Sequence, residues 1–285
     1  YGSYTALVFM TPLIGGMLAD RWLGTRKAIL FGAALLCLGH LGMAAEGRPA
    51  QKFLDYGGHS YSLQLTGRQD TRQARLDING HAYDWTATRE GGLAITGLPA
   101  DAPIPSTLPR DSFKFRTVTT TPWAEQAYYF AVSLIILGVG LLKPNISTLV
   151  GQLYPAGDRR RDAGFQLYYY GINVGSFWSA LLCGWVGQTV GWWAGFGLAG
   201  IGMAIGFVAF TLGKPWLDGR GNPPADARLD ERILGPLSRK TVIGALTLLI
   251  GLPAIYVLIQ HHGVVGLAEL VAVAAILAFV AFRMV

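Results

Sequence analysis

The 285-residue chain is 52% apolar and only 14% charged, with a mean hydropathy of +0.37, which excludes an ordinary soluble domain. Its net charge of +6 sits in short loops between apolar runs, so it argues for membrane orientation and against nucleic-acid binding. Two cysteines, Cys37 and Cys183, lie in separate apolar runs without metal-like spacing and read as packing residues.

Apolar segments near the ~20 residues that cross a bilayer core recur along the chain. Residues 4–19 predict an inward span and 28–45 an outward one, joined by a basic turn carrying Arg21, Arg26 and Lys27. Residues 47–121 break the pattern. They are polar and predict a small β-rich insertion, with Asn79-Gly80 turning one alternating run into another and "FKFRTVTTT" supplying a further strand. Spans then resume at 124–150 inward, 164–187 outward and 193–212 inward. Residues 214–240, with Pro215, Pro223 and Pro224, predict a basic linker before two last spans at 241–260 and 267–284. Lys and Arg crowd the loops at one side, while "GQTVGWW" and "QHHGVVG" have none. The basic loops are therefore expected in the cytoplasm and 47–121 outside it, since long translocated segments escape the charge rule. Small residues at Gly15 and Gly16, Gly171 and Gly175, and Gly195, Gly197, Gly202 and Gly206 predict close helix packing. The chain opens at Tyr1 and closes at Val285 inside apolar runs, so it reads as part of a longer protein with at least one span before it.

Three stretches carry chemistry. In "LLKPNIST", Lys143 lies about 12 Å from the cytoplasmic end of its span, counting 1.5 Å per residue back from Gly151. A lysine there costs ~2.5–3.5 kcal/mol on insertion scales, so it is expected to face a cavity or a partner, the alternative being that its long side chain snorkels to the cytoplasmic interface. Pro144 removes a backbone donor and frees a carbonyl at the same level. Glu125 and Glu269, the acids in or beside spans, lie near outer ends, so the counter-charge is expected from the substrate or another segment. In "FQLYYYGINVGSF", Asn173 lies about 13 Å in from Gly164, level with Lys143 and Asn145, and Tyr168, Tyr169 and Tyr170 lie one turn nearer the cytoplasm. An asparagine alone is more often interhelical glue; paired with a lysine at one depth it points to a water-accessible site. In "GGMLADRWLGTRKAI", Asp20 sits where it can pair with a base and Gly24 permits a tight turn.

That last stretch, extended to "FGAALLCLG", resembles the loop signature of the major facilitator superfamily in the version found in proton-dependent oligopeptide transporters. "GLLKPNISTLVGQLY" and "FQLYYYGINVGSF" are similar to that family's next two blocks. The resemblance implies an all-α polytopic membrane protein: a major facilitator N-terminal bundle lacking its first helix, with its E-x-x-E-R motif, plus an extra bacterial-type helix pair and a small β-rich extracytoplasmic insertion. The domains implied are 1–46, 47–121, 122–213, 214–240 and 241–285. It implies substrate contact by Asn173, Lys143, Phe9 and Tyr169, proton coupling through Lys143, and gating by Asp20, Arg21, Arg26 and Pro144. Phe9 stands where many members carry a pocket tyrosine, and the 47–121 insertion departs from the usual short link.

The function implied is a proton-coupled symporter importing di- and tripeptides by alternating access in the inner membrane, working as a monomer, with the proton as coupling ion, no cofactor and no metal. The alternatives are transport of another anionic or amphoteric solute, such as nitrate or a peptide-like conjugate, or a peptide sensor on a transporter fold. An enzyme is disfavoured: the spans hold no H-E-x-x-H and no two-acid site, and His40, His261 and His262 read as packing or solvated residues.

Overall fold

The computed structural model describes residues 2–45, 50–66, 73–99, 101–118 and 121–284; several residues at the edges and tips of the 47–121 insertion lie outside this set. It divides into a helical unit, residues 1–45 with 126–285, and a β unit, residues 46–125.

In the helical unit α1 (Gly2–Leu18) passes through a five-residue π-helical turn, Ala19–Leu23, into α2 (Gly24–Met43). Gly24 takes φ +72°, a conformation that costs a residue without a Cβ little and reverses the chain here. Then come α3 (Pro122–Gln152), α4 (Arg160–Thr189) and α5 (Trp192–Leu212). The last part runs α6 (Arg239–Leu246), a π-helical segment Thr247–Gly251, α7 (Leu252–Gln260) and α8 (His262–Met284). The α7–α8 turn is tighter than the sequence predicts, because His261 closes it by a contact from Nδ1 to the Val257 carbonyl, 2.8 Å, and the helix resumes at once. Segments Gly2–Met43, Trp123–Gln152, Trp192–Leu212 and Arg239–Gln260 are long and apolar enough to cross a membrane. Helices suit that environment because every interior amide is bonded within its own segment.

Small residues set the packing. α1 runs parallel to α3, with Thr11 at Ile136 and Gly15 at Gly140 and Leu141, whereas α2 runs against it, with Gly32 at Gly138 and Gly39 at Ala131 and Ile135. At Gly15, Gly32, Gly39 and Gly138 a Cβ would collide with the facing backbone, so these glycines permit the close approach. Gly195 against Gly187 closes α5 on α4, and Gly200 seats Leu41 of α2. The expectation fails at Gly171, Gly175, Gly202 and Gly206. Nothing among the described residues lies within 4 Å of a Cβ there, because these faces of α4 and α5 turn away from their neighbours. The core runs through Leu7, Leu35, Val132, Ile136, Leu141 and Ile255.

The β unit is one antiparallel sheet. Strands β1 (Gln51–Tyr56), β2 (His59–Thr66), β3 (Gln73–Ile78), β4 (His81–Ala87), β5 (Leu93–Thr96) and β6 (Thr107–Leu108) follow as a meander, and β7 (Phe113–Val118) returns beside β1. Asn79 and Gly80, at φ 55° and 83°, make the β3–β4 turn as the sequence predicts. Leu54 pairs with Tyr61 and Phe115, and Leu63 with Leu76, so one face gathers the core with Ile78, Leu93, Ile95 and Leu108. Three strands separate β4 from β7, about 19 Å on a flat sheet. The rings of Trp85 and Phe115 are nonetheless 5.5 Å apart, so the sheet curls until its inner face closes on itself.

On the outer face Arg116 donates to Asp55 at 2.9 Å, and Arg75 to Asp84 at 2.8 Å. Hydrogen bonds from Arg116 and then Ser60 hold the Asp55 carboxyl below the usual aspartate range. A depressed carboxylate contributes stability above its unfolded value, near ~3.9, and loses that contribution as pH falls through the folded value. Asp55→Asn should therefore lower the amide protection of β1 and β7 at pH 7 and flatten its decline below about pH 4. Hydrogen exchange on the whole protein checks this; an unchanged acid profile would refute it.

Candidate functional site

Lys143 sits on the exposed side of α3, and its Nζ lies 4.7 Å from the centre of the Phe9 ring on α1. No carboxylate among the described residues pairs with it. The ammonium therefore rests on an aromatic face, which holds a cation by ~0.5–1 kcal/mol at an exposed site and leaves its hydrogen bonds free for another partner.

Asn145, expected at the same site, does something else. It is 1% exposed and donates from Nδ2 to the carbonyls of Leu141, 2.6 Å, and Gly15, 3.3 Å. Two residues along a helix turn it about 200° from Lys143, toward α1, so it is the interhelical glue and not part of the open site. Thr11 adds a parallel link, donating to Leu7 and Ile136 at 2.8 and 3.3 Å.

Pro144 lies within α3 without ending it. Its missing N–H frees the Gly140 carbonyl, which abuts Gly15 of α1. Both line an apolar cavity of about 640 Å³ bounded by α1, α3 and α6. The carbonyl of Pro144 itself accepts from Ser147 at 2.9 Å and Thr148 at 3.0 Å.

Asn173 donates to the Tyr169 carbonyl one turn back, 2.8 Å, and both side chains are exposed. α3 and α4 form an antiparallel hairpin: Gly151 faces Phe165 and Arg161, and Gly164 packs on the Tyr154 ring. Lys143 stands eight residues before Gly151, and Asn173 eight after Phe165, about 12 Å in each case. By that count the lysine and the asparagine stand equally far along their helices from the crossing at Gly151 and Phe165. Beyond them, Ser147, Thr148, Gln152, Arg161, Phe165 and Tyr169 border a polar cleft of about 570 Å³.

At the basic end, Asp20 and Arg21 belong to the π-helical turn. Asp20 is exposed and forms no ion pair among the described residues, and Arg21 lies over the Trp22 ring at 5.9 Å. Arg26 is engaged by the linker: its amide donates to the Gly221 carbonyl, 3.0 Å, and its guanidinium to Asn222 Oδ1, 3.1 Å. Gly24 and Gly221 approach so closely that a Cβ on either would meet Pro223 or Thr25. Sequence reasoning missed this contact, the seat of Lys143 on Phe9 and the cleft at Arg161. The i, i+4 series Arg161, Phe165, Tyr169, Asn173 was the available signal for the last.

Several helices long and apolar enough to cross a membrane, with a cation and an amide on exposed helix faces, make this a multi-pass membrane protein. The comparisons narrow the class. The model of the POT family matches residues 26–226, and the chain belongs to that family. It is 30% identical over 209 residues to the peptide transporter YePEPT of Yersinia enterocolitica, covering 73% of this chain and 26% of that protein. A di-/tripeptide transporter of Lactococcus lactis is 28% identical over 247 residues, 85% of this chain and 34% of the relative. The chain thus spans about a third or less of these relatives. A crystal structure of a peptide transporter POT in complex with sulfate superposes with a TM-score of 0.50 at 26% identity, covering 95% of this chain and 36% of that one. A bacterial homologue of the human drug peptide transporters shares the fold with a TM-score of 0.58 at 20% identity, over 97% of this chain and 45% of the other.

Proposed function

We propose that the full-length protein is a proton-coupled symporter that imports di- and tripeptides across the inner membrane by alternating access. This chain would supply most of the first helical bundle and the extra helix pair, with the basic loops cytoplasmic and the β unit outside. A short peptide offers a carboxylate, an ammonium and one or two amides whatever its side chains. Lys143 suits the carboxylate, Asn173 suits a backbone amide, and Phe9 and Tyr169 are rings beside them. Asp20, Arg21, Arg26 and Pro144 belong in this reading to the inner gate. The carrying observation is Lys143, an ammonium on an aromatic ring with no carboxylate beside it among the described residues. Such a cation can alternate between a carboxylate elsewhere in the protein and the substrate's own, and the pKa of the protein's acid then rises when Lys143 leaves it. Proteoliposomes holding the full-length protein should accumulate labelled dipeptide under an inward proton gradient, with competition by tripeptide and none by nitrate. Nitrate competition, or binding without accumulation, would overturn the reading in favour of another solute or a sensor.

A further inference from the structure

The cleft between the end of α3 and the start of α4 has a cation of its own. Arg161 makes no ion pair or side-chain hydrogen bond among the described residues, and its guanidinium lies 5.9 Å from the centre of the Phe165 ring. This repeats the arrangement at Lys143: a positive group on an aromatic face, its donors unspent. Gly151 lies opposite, where a Cβ would stand 3.3 Å from the guanidinium. Arg161, Phe165, Tyr169 and Asn173 form one ridge of α4 at four-residue spacing, and Lys143, Ser147 and Gly151 form the facing ridge of α3. Ser147, Thr148, Tyr169 and Gln152 set hydroxyls and an amide around the cleft that Arg161 borders.

From this geometry we infer that Arg161 is a second carboxylate station, which receives the C-terminus of the peptide after Lys143 and draws it toward the cytoplasm. The inference rests on the peptide-import reading and extends it from binding to release. Gly151, which faces the Arg161 guanidinium, lies eight residues or about 12 Å along α3 from Lys143, so the carboxylate would advance by about that rise. Arg161 lies in the first turn of α4, where the positive end of the helix dipole also favours an anion. The guanidinium fork suits a carboxylate in two parallel hydrogen bonds, whereas Lys143 holds it as a point charge.

The test compares a free dipeptide with its C-terminal amide on the full-length protein in proteoliposomes, wild type against Arg161→Gln and Arg161→Lys. The station predicts that Arg161→Gln slows kcat for the free acid about tenfold, with equilibrium binding within twofold, because a charge-assisted contact made only on the way out is lost. The amide, which lacks the carboxylate that Lys143 grips, should move more slowly than the free acid in wild type and lose no further rate on Arg161→Gln, and Arg161→Lys should recover much of the free-acid rate. Equal slowing of acid and amide would make Arg161 a gate or folding residue and overturn the station, as would no slowing of either. If wild-type protein moves neither compound, the peptide reading itself fails and takes the station with it. That outcome is distinct from the other two.

Discussion

On the peptide-import reading, Lys143→Ala should abolish proton-driven peptide accumulation by the full-length protein while leaving its fold intact. The fold survives because Lys143 is exposed and its described contact is the Phe9 ring, so the change removes ~0.5–1 kcal/mol of cation–π attraction and opens no core cavity. Transport should not survive, because in that reading two partners lose one cation. The substrate carboxylate loses a charge-assisted contact worth about 1.5–3 kcal/mol, and the coupled acid loses the neighbour that makes its protonation depend on occupancy. Together these predict a fall of roughly two orders of magnitude in gradient-driven uptake. Size-exclusion profile and thermal unfolding in detergent should match wild type. Uptake still driven by a pH gradient would end the coupling role of this residue.

The largest effect on stability belongs to Gly15→Ala. A methyl there runs into the carbonyl of Gly140, and backbone cannot step aside as a side chain can. The overlap pushes α1 from α3 at the level where Asn145 bonds the Gly15 carbonyl and Pro144 has freed that of Gly140. Overpacking of this kind costs about 1–3 kcal/mol. Gly16 is the internal control: a Cβ there meets Pro144 at 3.7 Å, an ordinary contact, so Gly16→Ala should stay within about 0.5 kcal/mol of wild type. Thermal unfolding of the two variants side by side decides it. Equal midpoints would mean that α1 and α3 are held apart at this level.

The helices were legible in the sequence because membrane spans advertise themselves by length and composition. The Asn79-Gly80 turn was legible because its positive φ values demand those residues. Lys143 and Asn173 stand out in the sequence for a related reason: a polar group in an apolar run is a local anomaly, and depth needs only a count of residues. Which way each group faces is not local. Asn145 was grouped with Lys143 by depth, and only the course of α1 beside α3 reveals that it turns inward. The unfilled glycine faces at Gly171 and Gly202 mislead similarly, since spacing predicts a surface fit for packing without saying what meets it. The curl of the β sheet was hidden too, because it depends on Trp85 and Phe115, thirty residues apart, meeting across three intervening strands.

The linker after α5 has a mechanical consequence. As a free coil, its roughly 26 residues would let α6 wander about 28 Å from the end of α5. Instead Gly221 and Asn222 fasten it to Arg26, and Leu229, Asp230 and Glu231 fasten it to Arg239 and Lys240 at the head of α6. Pinned at two points, the linker loses most of that reach, and α6 is kept beside the turn between α1 and α2, where Ile243 packs on Ala19, Leu23 and Ala28.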